Sequence, residues 1–332
     1  MKTPIDLKKL PGARKAALPD FVPPQLATLV KLPPEGDEWL HEVKFDGYRM
    51  ICRLDRGNVR FWSRNHKDWT NKFPTLVKAV KNFPAQTAIL DGEVVILDTK
   101  GRTSFQSLQK SLGRTAQAAF IYQIFDVIYL DGYNLTGTPL RLRKELLQSL
   151  FQSILEHGPL RYSDHIEGKG LEFFKKACNF GIEGIISKLA DSLYESTRNR
   201  NWLKVKCHLR QEFVIAGFTI SEKALPGFGA LVLGIYDKKN LVYAGRVGTG
   251  FTLKQRIDLR KMLDPLVTTK MPFAERPKDP RLRQVCWVAP KLVAEVEFTE
   301  WTADGSVRHP SFQGLREDKN PKEIVRETPA DQ

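Results

Sequence analysis

Short runs of alternating hydrophobic and polar residues recur along most of the chain, and this pattern predicts a protein rich in β-strands. Two such runs, 49–54 and 58–62, flank Asp55-Arg56-Gly57, which is typical of a hairpin with a tight turn. Two longer apolar runs, 88–97 and 119–130, predict buried strands. Helical spacing separates the predicted strands at residues 74–82, 105–112, 140–156 and 171–179.

The pattern changes near residue 209 and divides the chain into parts. Residues 23–208 mix strands and helices, which predicts an α+β domain of antiparallel sheets with flanking helices. Residues 209–325 contain short strands, glycine turns and one helix at 253–263, which predicts an all-β closed barrel of the oligonucleotide-binding (OB) type. Residues 1–22 are basic and rich in proline, so we expect an extended arm. Residues 326–332 are expected to form a tail.

The chain is strongly basic, with 52 Lys and Arg against 38 Asp and Glu, a formal net charge of +14 and a pI near 9.6. The positive excess is spread over the arm and both predicted domains. This distribution favours a protein that contacts a polyanion such as nucleic acid along several surfaces. The alternative is a basic surface that serves only solubility.

The four cysteines, Cys52, Cys178, Cys207 and Cys286, are far apart and form no C-x-x-C pair. We therefore expect neither a zinc site nor a disulfide, and a reducing, intracellular compartment. No apolar run approaches the length of a membrane span, and the N-terminus lacks a signal-peptide core. A soluble, cytoplasmic monomer is expected.

The candidate chemistry centres on Lys44, in the stretch Glu42-Val43-Lys44-Phe45-Asp46-Gly47-Tyr48-Arg49. Residues 39–43 predict a strand that ends just before Lys44, and Asp46-Gly47 predicts a turn. A lysine attacks phosphorus only as the neutral amine, which partial burial and nearby cations favour. Arg49 carries a planar guanidinium suited to a phosphate or a ribose. An ordinary exposed Lys-Asp-Gly turn is the alternative.

Charged residues within or beside apolar strands are further candidates. Glu93 and Glu183 form a pair of carboxylates of the kind that holds Mg²⁺ on a phosphate. Lys204 and Lys206 share one face of a predicted strand, where an anion between them would relieve their repulsion. Arg64 follows a strand next to that of Lys44, where it is placed to bind phosphate or to cap loop carbonyls.

Taken in order, these stretches resemble the motifs of the nucleotidyl-transferase superfamily of ATP-dependent DNA ligases and capping enzymes. Each motif is weak alone, but together they span most of the chain. The matching stretches are Lys44 to Arg49, Ser63-Arg64-Asn65, Asp91-Gly92-Glu93, Phe125-Asp126, Glu183 to Lys188, Trp202 to Lys206 and Arg316 to Lys319. The flanks 11–21 and 308–312 also resemble the ligase module of bacterial ligase D, an end-joining enzyme.

The resemblance implies an adenylation domain followed by an OB-fold domain, and ATP-dependent sealing of DNA nicks through a lysyl-AMP on Lys44. Phe125, which the apolar pattern alone assigns to the core, would stack on adenine. The metal ligands implied are Glu93 and Glu183. The nucleotide-binding residues implied are Glu42, Arg49, Arg64, Glu93, Phe125, Lys204, Lys206, Arg316 and Lys319, of which the last two would act on pyrophosphate when the second domain closes over ATP.

The implied cofactors are ATP and Mg²⁺, with Mn²⁺ as an alternative metal. The implied partners are nicked or broken duplex DNA and a Ku-like end-binding protein, in repair by non-homologous end joining. An RNA ligase, a GTP-dependent capping enzyme and a non-catalytic DNA clamp are the alternatives. His66 and Thr197 stand where the family often has glycine, which puts the conformation of two loops in question.

Overall fold

The structure is a computed structural model that describes residues 5–112, 119–154, 158–220 and 227–330. Predictions for residues 1–4 of the arm, 155–156 of the third predicted helix and 331–332 of the tail lie outside this part. The chain divides into two compact units, Met1–Cys207 with Pro329–Gln332, and His208–Thr328. The amide of Ala330 donates to the carbonyl of Leu29 at 2.9 Å, so the end of the predicted tail packs on the first unit.

Strands of the first unit are numbered in chain order. They are β1 Arg14–Lys15, β2 Leu26–Leu29, β3 Trp39–Val43, β4 Tyr48–Asp55, β5 Asn58–Ser63, β6 Thr87–Val95, β7 Ile121–Leu130, β8 Tyr133–Asn134, β9 Leu160–Tyr162, β10 Ile166–Glu167, β11 Gly184–Leu189 and β12 Arg198–Lys206. The helices are α1 Pro74–Val80, α2 Phe105–Leu112, α3 Leu140–Phe151 and α4 Gly170–Asn179, with a 3₁₀ turn at Thr70–Lys72.

The larger sheet of this unit has the strand order β1-β8-β7-β6-β4-β5, with β9 beside β7, among the described residues. Its two faces bury different residues because side chains alternate along each strand. On β4, Met50, Cys52 and Leu54 join the core under α1 and α3, whereas Ile51 lies on the other face with Phe125. The second face therefore carries the side chains that border the candidate site.

The smaller sheet has the order β10-β3-β11-β12-β2. All neighbours are antiparallel except β12 and β2, which run parallel. One face packs on α4 through Ile185, Leu203 and Val205. The alternating residues on the opposite face include Glu42, Lys204 and Lys206. Within the described part of the proline-rich arm, the strand β1 lies at the edge of the larger sheet, as the composition of the arm predicts. The strand β2, just after the arm, lies at the edge of the smaller sheet.

The second unit is a sheet of antiparallel strands with one α-helix among the residues described. The strands are β13 Leu209–Thr219, β14 Leu231–Asp237, β15 Asn240–Val247, β16 Val285–Trp287, β17 Val293–Phe298, β18 Glu300–Trp301, β19 Val307–Arg308 and β20 Ser311–Leu315. The helix α5 is Leu253–Leu263, and 3₁₀ turns lie at Asp264–Leu266, Pro280–Leu282 and Pro321–Glu323.

Strand order in this sheet is β15-β14-β13-β17-β20, with β16 beside β13, and β18 pairs with β19. The prediction of an OB-fold domain is confirmed, but the prediction of a fully closed barrel needs correction. In the described part of this unit, the two ends of the sheet meet through a single bridge between Thr249 and Ser311 rather than through a ladder. The carbonyl of Thr249 also accepts a hydrogen bond from the amide of Phe312 at 3.0 Å, which stabilises this contact between the two ends of the sheet.

The expectation that no disulfide forms is wrong, because Cys178 and Cys207 are bonded, with Cα atoms 5.3 Å apart. Cys178 lies at the end of α4 and Cys207 directly follows β12. Because β11 follows α4 and pairs with β12 in the register Gly184–Lys206, the two cysteines meet despite a separation of 29 residues. Only tertiary pairing reveals this proximity. Cys52 and Cys286 are free.

No helix in the described ranges combines the length and apolarity that crossing a membrane requires.

Replacing Cys178 by serine should lower the free energy of unfolding by about 3 to 4 kcal/mol, because the bond restricts the unfolded chain. Urea denaturation without reductant measures this change. Cys286→Ser, at a free and half-buried cysteine, is the matched control and should change stability far less. Four alkylatable thiols in the unreduced protein would contradict the disulfide.

Candidate active site

Lys44 follows the last residue of β3, as the sequence predicts, and its amide donates to the carbonyl of Gly184 at 3.0 Å. Its Nζ lies 2.5 Å from Glu183 Oε1, with the two side chains 20% and 10% exposed. The partial burial expected for a reactive lysine is present. The nearest charge that we find is a carboxylate rather than the expected cations, so the amine must give up this contact and a proton before it can attack.

The register of the smaller sheet places three of the predicted site residues, Glu42, Lys204 and Lys206, near Lys44. Glu42 on β3, Ile186 on β11 and Lys204 on β12 lie directly opposite one another, so their side chains share one face. Two residues along, Gly184 lies opposite Lys206, next to Lys44. This face is the one turned away from α4.

Gly184 is required at this point. A Cβ atom there would lie 2.0 Å from the carbonyl oxygen of Val205, and the residue has φ of +157°. The glycine lets β12 approach β11 closely, next to Lys206 and Lys44. The Glu183-Gly184 pair thus combines a charged partner for Lys44 with the close strand contact that the site requires.

Arg49 is held by the larger sheet. Its Nε and Nη2 donate to Asp91 Oδ1 and Oδ2 at 2.5 and 2.7 Å. Asp91 also accepts from the Tyr194 hydroxyl at 2.6 Å, and that hydroxyl accepts from the amide of Gln25 at 3.1 Å. Burial alone would lower the pKa of Arg49, but the Asp91 carboxylate raises it above its ordinary value. Arg49 is therefore a fixed cation.

Phe125 lies on the same face of the larger sheet, with the Arg49 guanidinium 4.4 Å from its ring centre. Lys188 Nζ lies 4.3 Å from the centre of the Phe125 ring and 4.3 Å from that of Trp202. Phe125 is only 6% exposed, so adenine would need part of this contact surface. Trp202 Nε1 is buried and has no hydrogen-bond partner among the described residues.

Glu93 and Arg64 border the same sheet. Glu93 lies directly opposite Arg49 in the pairing of β6 with β4, and its charge contributes to raising the pKa of Arg49. Arg64 follows the end of β5 and is half-buried. His66, two residues on, adopts φ of +56° and stacks on Phe21 with ring centres 4.2 Å apart. The left-handed conformation that glycine usually supplies is thus kept at His66, whereas Thr197 lies in a bend before β12.

Glu42 is buried, with its carboxylate 2% exposed. Oε1 accepts from Lys144 Nζ at 2.8 Å, and Oε2 accepts from Lys188 Nζ at 2.9 Å and the Ser163 hydroxyl at 3.0 Å. Burial alone would raise the pKa of Glu42, but the two ammonium groups bring it below its ordinary value. Contact of Glu42 with the nucleotide stays a prediction, and its carboxylate already has three donors.

The predicted pyrophosphate residues, Arg316 and Lys319, lie in the second unit among acids. Arg316 pairs with Asp318 at 2.8 Å and with Glu295 at 2.8 Å, and Lys319 pairs with Glu212 at 2.8 Å. Burial would raise the pKa of Glu295, but Arg210 and Arg316 lower it to about 2. These pairs hold the two cations close together within this unit.

Of the predicted metal ligands, Glu93 lies on β6 of the larger sheet and Glu183 lies just before β11 of the smaller sheet. Within the described residues, no group of three or more His, Cys, Asp or Glu side chains forms a metal cage. Mg²⁺ bound to a nucleotide commonly takes one or two protein carboxylates, with phosphates and water completing its six ligands. Glu183 fits that mode as a single carboxylate beside the nucleophile, with its Oε1 in contact with Lys44 Nζ.

Sequence reasoning missed the residues that hold the candidate groups in place. Asp91 and Tyr194 fix Arg49, and Lys144 and Lys188 fix Glu42. Asp91 carries a sequence signal, because it is a second acid in the apolar strand of Glu93. Lys144 carries none, since a lysine on an amphipathic helix is normally assigned to its solvated side.

Comparison with known proteins identifies the family of this chain. The family described as "ATP dependent DNA ligase domain" matches residues 24–206, and "ATP dependent DNA ligase C terminal region" matches residues 225–319. The first match alone covers more than half of the chain. The chain therefore belongs to the ATP-dependent DNA ligase family.

Within that family the similarity is to the LigD proteins. The multifunctional non-homologous end joining protein LigD of Pseudomonas aeruginosa is 39% identical over 319 residues, which cover 95% of this chain and 38% of that protein. The LigD of Mycobacterium tuberculosis is 37% identical over 295 residues, 88% of this chain and 38% of that protein. The chain thus spans well under half the length of these curated relatives.

Solved structures of LigD ligases are also similar to this chain. The structure titled "mycobacterial DNA ligase D complexed with ATP and MES" superposes with a TM-score of 0.69 at 36% identity, covering 92% of this chain and 98% of that chain. The ligase domain of M. tuberculosis LigD gives a TM-score of 0.52 at 37% identity with the same coverage. An adenylation domain followed by an OB-fold domain is the shared architecture.

Lys188 should titrate near pH 8, since burial lowers its pKa to about 8 although Glu42 acts in the opposite direction. The charged amine should therefore predominate below this pH and the neutral amine above it. Carbon-13 NMR of lysine Cε resonances measures the midpoint, with Lys188→Met identifying the signal. A Lys188 midpoint at the ordinary lysine pKa of about 10.4 would contradict the effect of burial.

Proposed function

We propose that this chain seals breaks in duplex DNA through a lysyl-AMP formed on Lys44. The observation that carries the proposal is the position of Lys44 at the end of β3, in contact with Glu183 and on the face of Lys204 and Lys206. Two basic side chains on one face next to a lysine nucleophile suit a triphosphate. Membership of the ATP-dependent DNA ligases supports ATP as the nucleotide.

The reaction consists of three phosphoryl transfers. First, the neutral Lys44 amine attacks the α-phosphorus of ATP, a P–N bond forms, and the bond to the β-phosphate oxygen breaks to release pyrophosphate. An oxygen of the DNA 5′-phosphate next attacks the same phosphorus, and Lys44 leaves and regains its proton. Finally, the 3′-hydroxyl attacks the 5′-phosphate, loses its proton and displaces AMP. Each step needs in-line positioning and charge stabilisation above all.

The side chains divide this work. Lys204 and Lys206 bind the α-phosphate, Phe125 stacks on adenine, and Glu93 binds the ribose. Arg49 and Arg64 contact AMP or the phosphate at the nick. For Arg49 the support is its double pair with Asp91, which holds a guanidinium in one orientation.

Glu93 and Glu183 are the proposed carboxylates for Mg²⁺, or for Mn²⁺ in its place. When bound, the metal ion supplies positive charge that offsets the charge of the phosphates. Glu183 has a second task, since it neutralises and positions the Lys44 ammonium before ATP arrives.

The biological setting extends the proposal. The names of the LigD relatives support a role in repair by non-homologous end joining. A Ku-like end-binding protein as partner and the intracellular nucleoid as location are further parts of the proposal. The net charge of +14 supports contact with the DNA backbone.

Lys44→Ala should reduce the sealing of an ordinary 5′-phosphate nick by about 10⁴-fold or more, because the covalent nucleophile is lost. The same variant should still seal a nick that already carries AMP on its 5′-phosphate, since that substrate bypasses the lysine. Gel-based ligation of the two substrates measures both effects, with Lys78→Ala as the matched control. Full sealing of the ordinary nick by Lys44→Ala would overturn the proposal.

Arg316→Ala should slow lysyl-AMP formation by about 10²-fold, the cost of losing one preorganised charge at a phosphate, and should affect sealing of a pre-adenylated nick less. Single-turnover adenylation and ligation rates test this difference. Arg308→Ala removes an exposed arginine that pairs with Glu300 in the same unit and serves as control. Equal losses in both steps would show that Arg316 does not act specifically on pyrophosphate.

A further inference from the structure

The Glu42 carboxylate is the centre of a buried cluster drawn from several elements of the first unit. Lys144 comes from α3, Lys188 from β11, and Ser163 follows β9. Lys144 also donates to the backbone carbonyl of Ser163 at 2.5 Å. Each of the three donors is 2% exposed or less. Both oxygens of the Glu42 carboxylate are thus held by buried donors.

The charges in this cluster do not balance, because two ammonium groups share one carboxylate. Burying such charges is costly, and a buried ion pair is weak evidence for added stability. Phe125 and Trp202 offset part of the cost through their ring faces, which lie 4.3 Å from Lys188 Nζ. Tyr162 does the same for Lys144 at 4.5 Å. An arrangement this costly points to a requirement for position rather than for stability.

The position concerned is that of Lys44. Glu42 lies two residues before Lys44, and successive even-numbered positions along β3 face the same side of the sheet. β3 has five residues and ends at Val43. Lys44 therefore lies just past the end of the strand, and its position depends on the residues that hold this end. Holding the Glu42 side chain therefore fixes the end of the strand from which Lys44 extends toward Glu183.

We propose that Lys144 is a positioning residue, whose buried ammonium holds the Glu42 carboxylate and, through β3, places the Lys44 amine for attack on the nucleotide. Lys188 and Ser163 complete the support. This inference rests on the proposed function, since it assigns Lys44 its chemical role. It gives Glu42 a supporting part, in place of a direct contact between its carboxylate and the nucleotide.

The charged groups that face Lys188 make the cluster measurable. They are Glu42 on β3, Lys144 on α3 and Asp126 on β7. The positive charge of Lys144 lowers the pKa of Lys188, whereas Glu42 and Asp126 raise it. Removing the charge of Lys144 should therefore shift the Lys188 titration to higher pH, provided that Glu42 still contacts Lys188.

The test compares Lys144→Met with Lys78→Met, which removes an exposed lysine of α1, in the full chain. Lys144→Met should reduce the single-turnover rate of lysyl-AMP formation by about 10²-fold, the cost expected for a misplaced reacting group, with little change in the ATP concentration giving half-maximal rate. It should also raise the midpoint of the Lys188 NMR titration. A role in stability alone would leave the rate of the folded protein unchanged, and that result would overturn the inference. The rise of the midpoint follows from the lost charge alone and shows that Lys188 stays beside Glu42 in the variant.

Ser163→Ala provides a second variant that buries no new charge and removes one donor to Glu42. It should slow the same step by several-fold while the protein remains folded, so the inference stays testable if Lys144→Met does not fold. Unchanged adenylation by a folded Ser163→Ala would contradict the shared support of Glu42. Failure of wild type and Lys78→Met to form the adduct would instead overturn the proposed function.

Discussion

The contact between Lys44 and Glu183 is the constraint on which the rest of the site depends. It joins the end of β3 to the residue just before β11, with 2.5 Å between Nζ and Oε1. The backbone supports the same junction, because the Lys44 amide donates to Gly184 and the Cys207 amide donates to the carbonyl of Glu183 at 2.9 Å. The backbone of the lysine is therefore held at one point beside Glu183, which limits how far the amine must move to reach a nucleotide.

The surroundings of this contact contain unusually many charges with little exposure. The ion pairs of the first unit with little exposure include Arg49 with Asp91, Arg143 with Asp126, and Glu42 with two lysines. Such groups persist only when each is paired in good geometry, since an unpaired buried charge costs several kcal/mol. The site thus depends on completed pairs, and loss of one partner should disturb its neighbours more than a loss at the surface does.

Much of the fold follows from local sequence. The helix predicted at 105–112 has those bounds, and the helix at 253–263 begins after Thr252, whose side chain and that of Gln255 cap each other's backbone amides. Alternation located β4, β5 and the turn between them, because burial alternates along β5 and at both ends of β4. Placement of Lys44 at a strand end followed from the polar turn after it.

The remaining features depend on contacts between segments far apart in sequence. The Cys178–Cys207 bond, the donors of Glu42 from α3 and β11, and the hydroxyl of Tyr194 on Asp91 all arise from tertiary pairing. The closure of the second unit through one bridge likewise depends on how far strands extend past each other. The hydrophobic pattern of the sequence predicts which residues are buried, but it does not predict which buried charged residues contact each other.

The most direct test of the central claim is the intact mass of the purified protein before and after incubation with ATP and Mg²⁺, followed by peptide mapping of the adduct. The account predicts one added AMP, located on Lys44. An AMP on another residue, or no adduct on a protein that was not already adenylated, would contradict it.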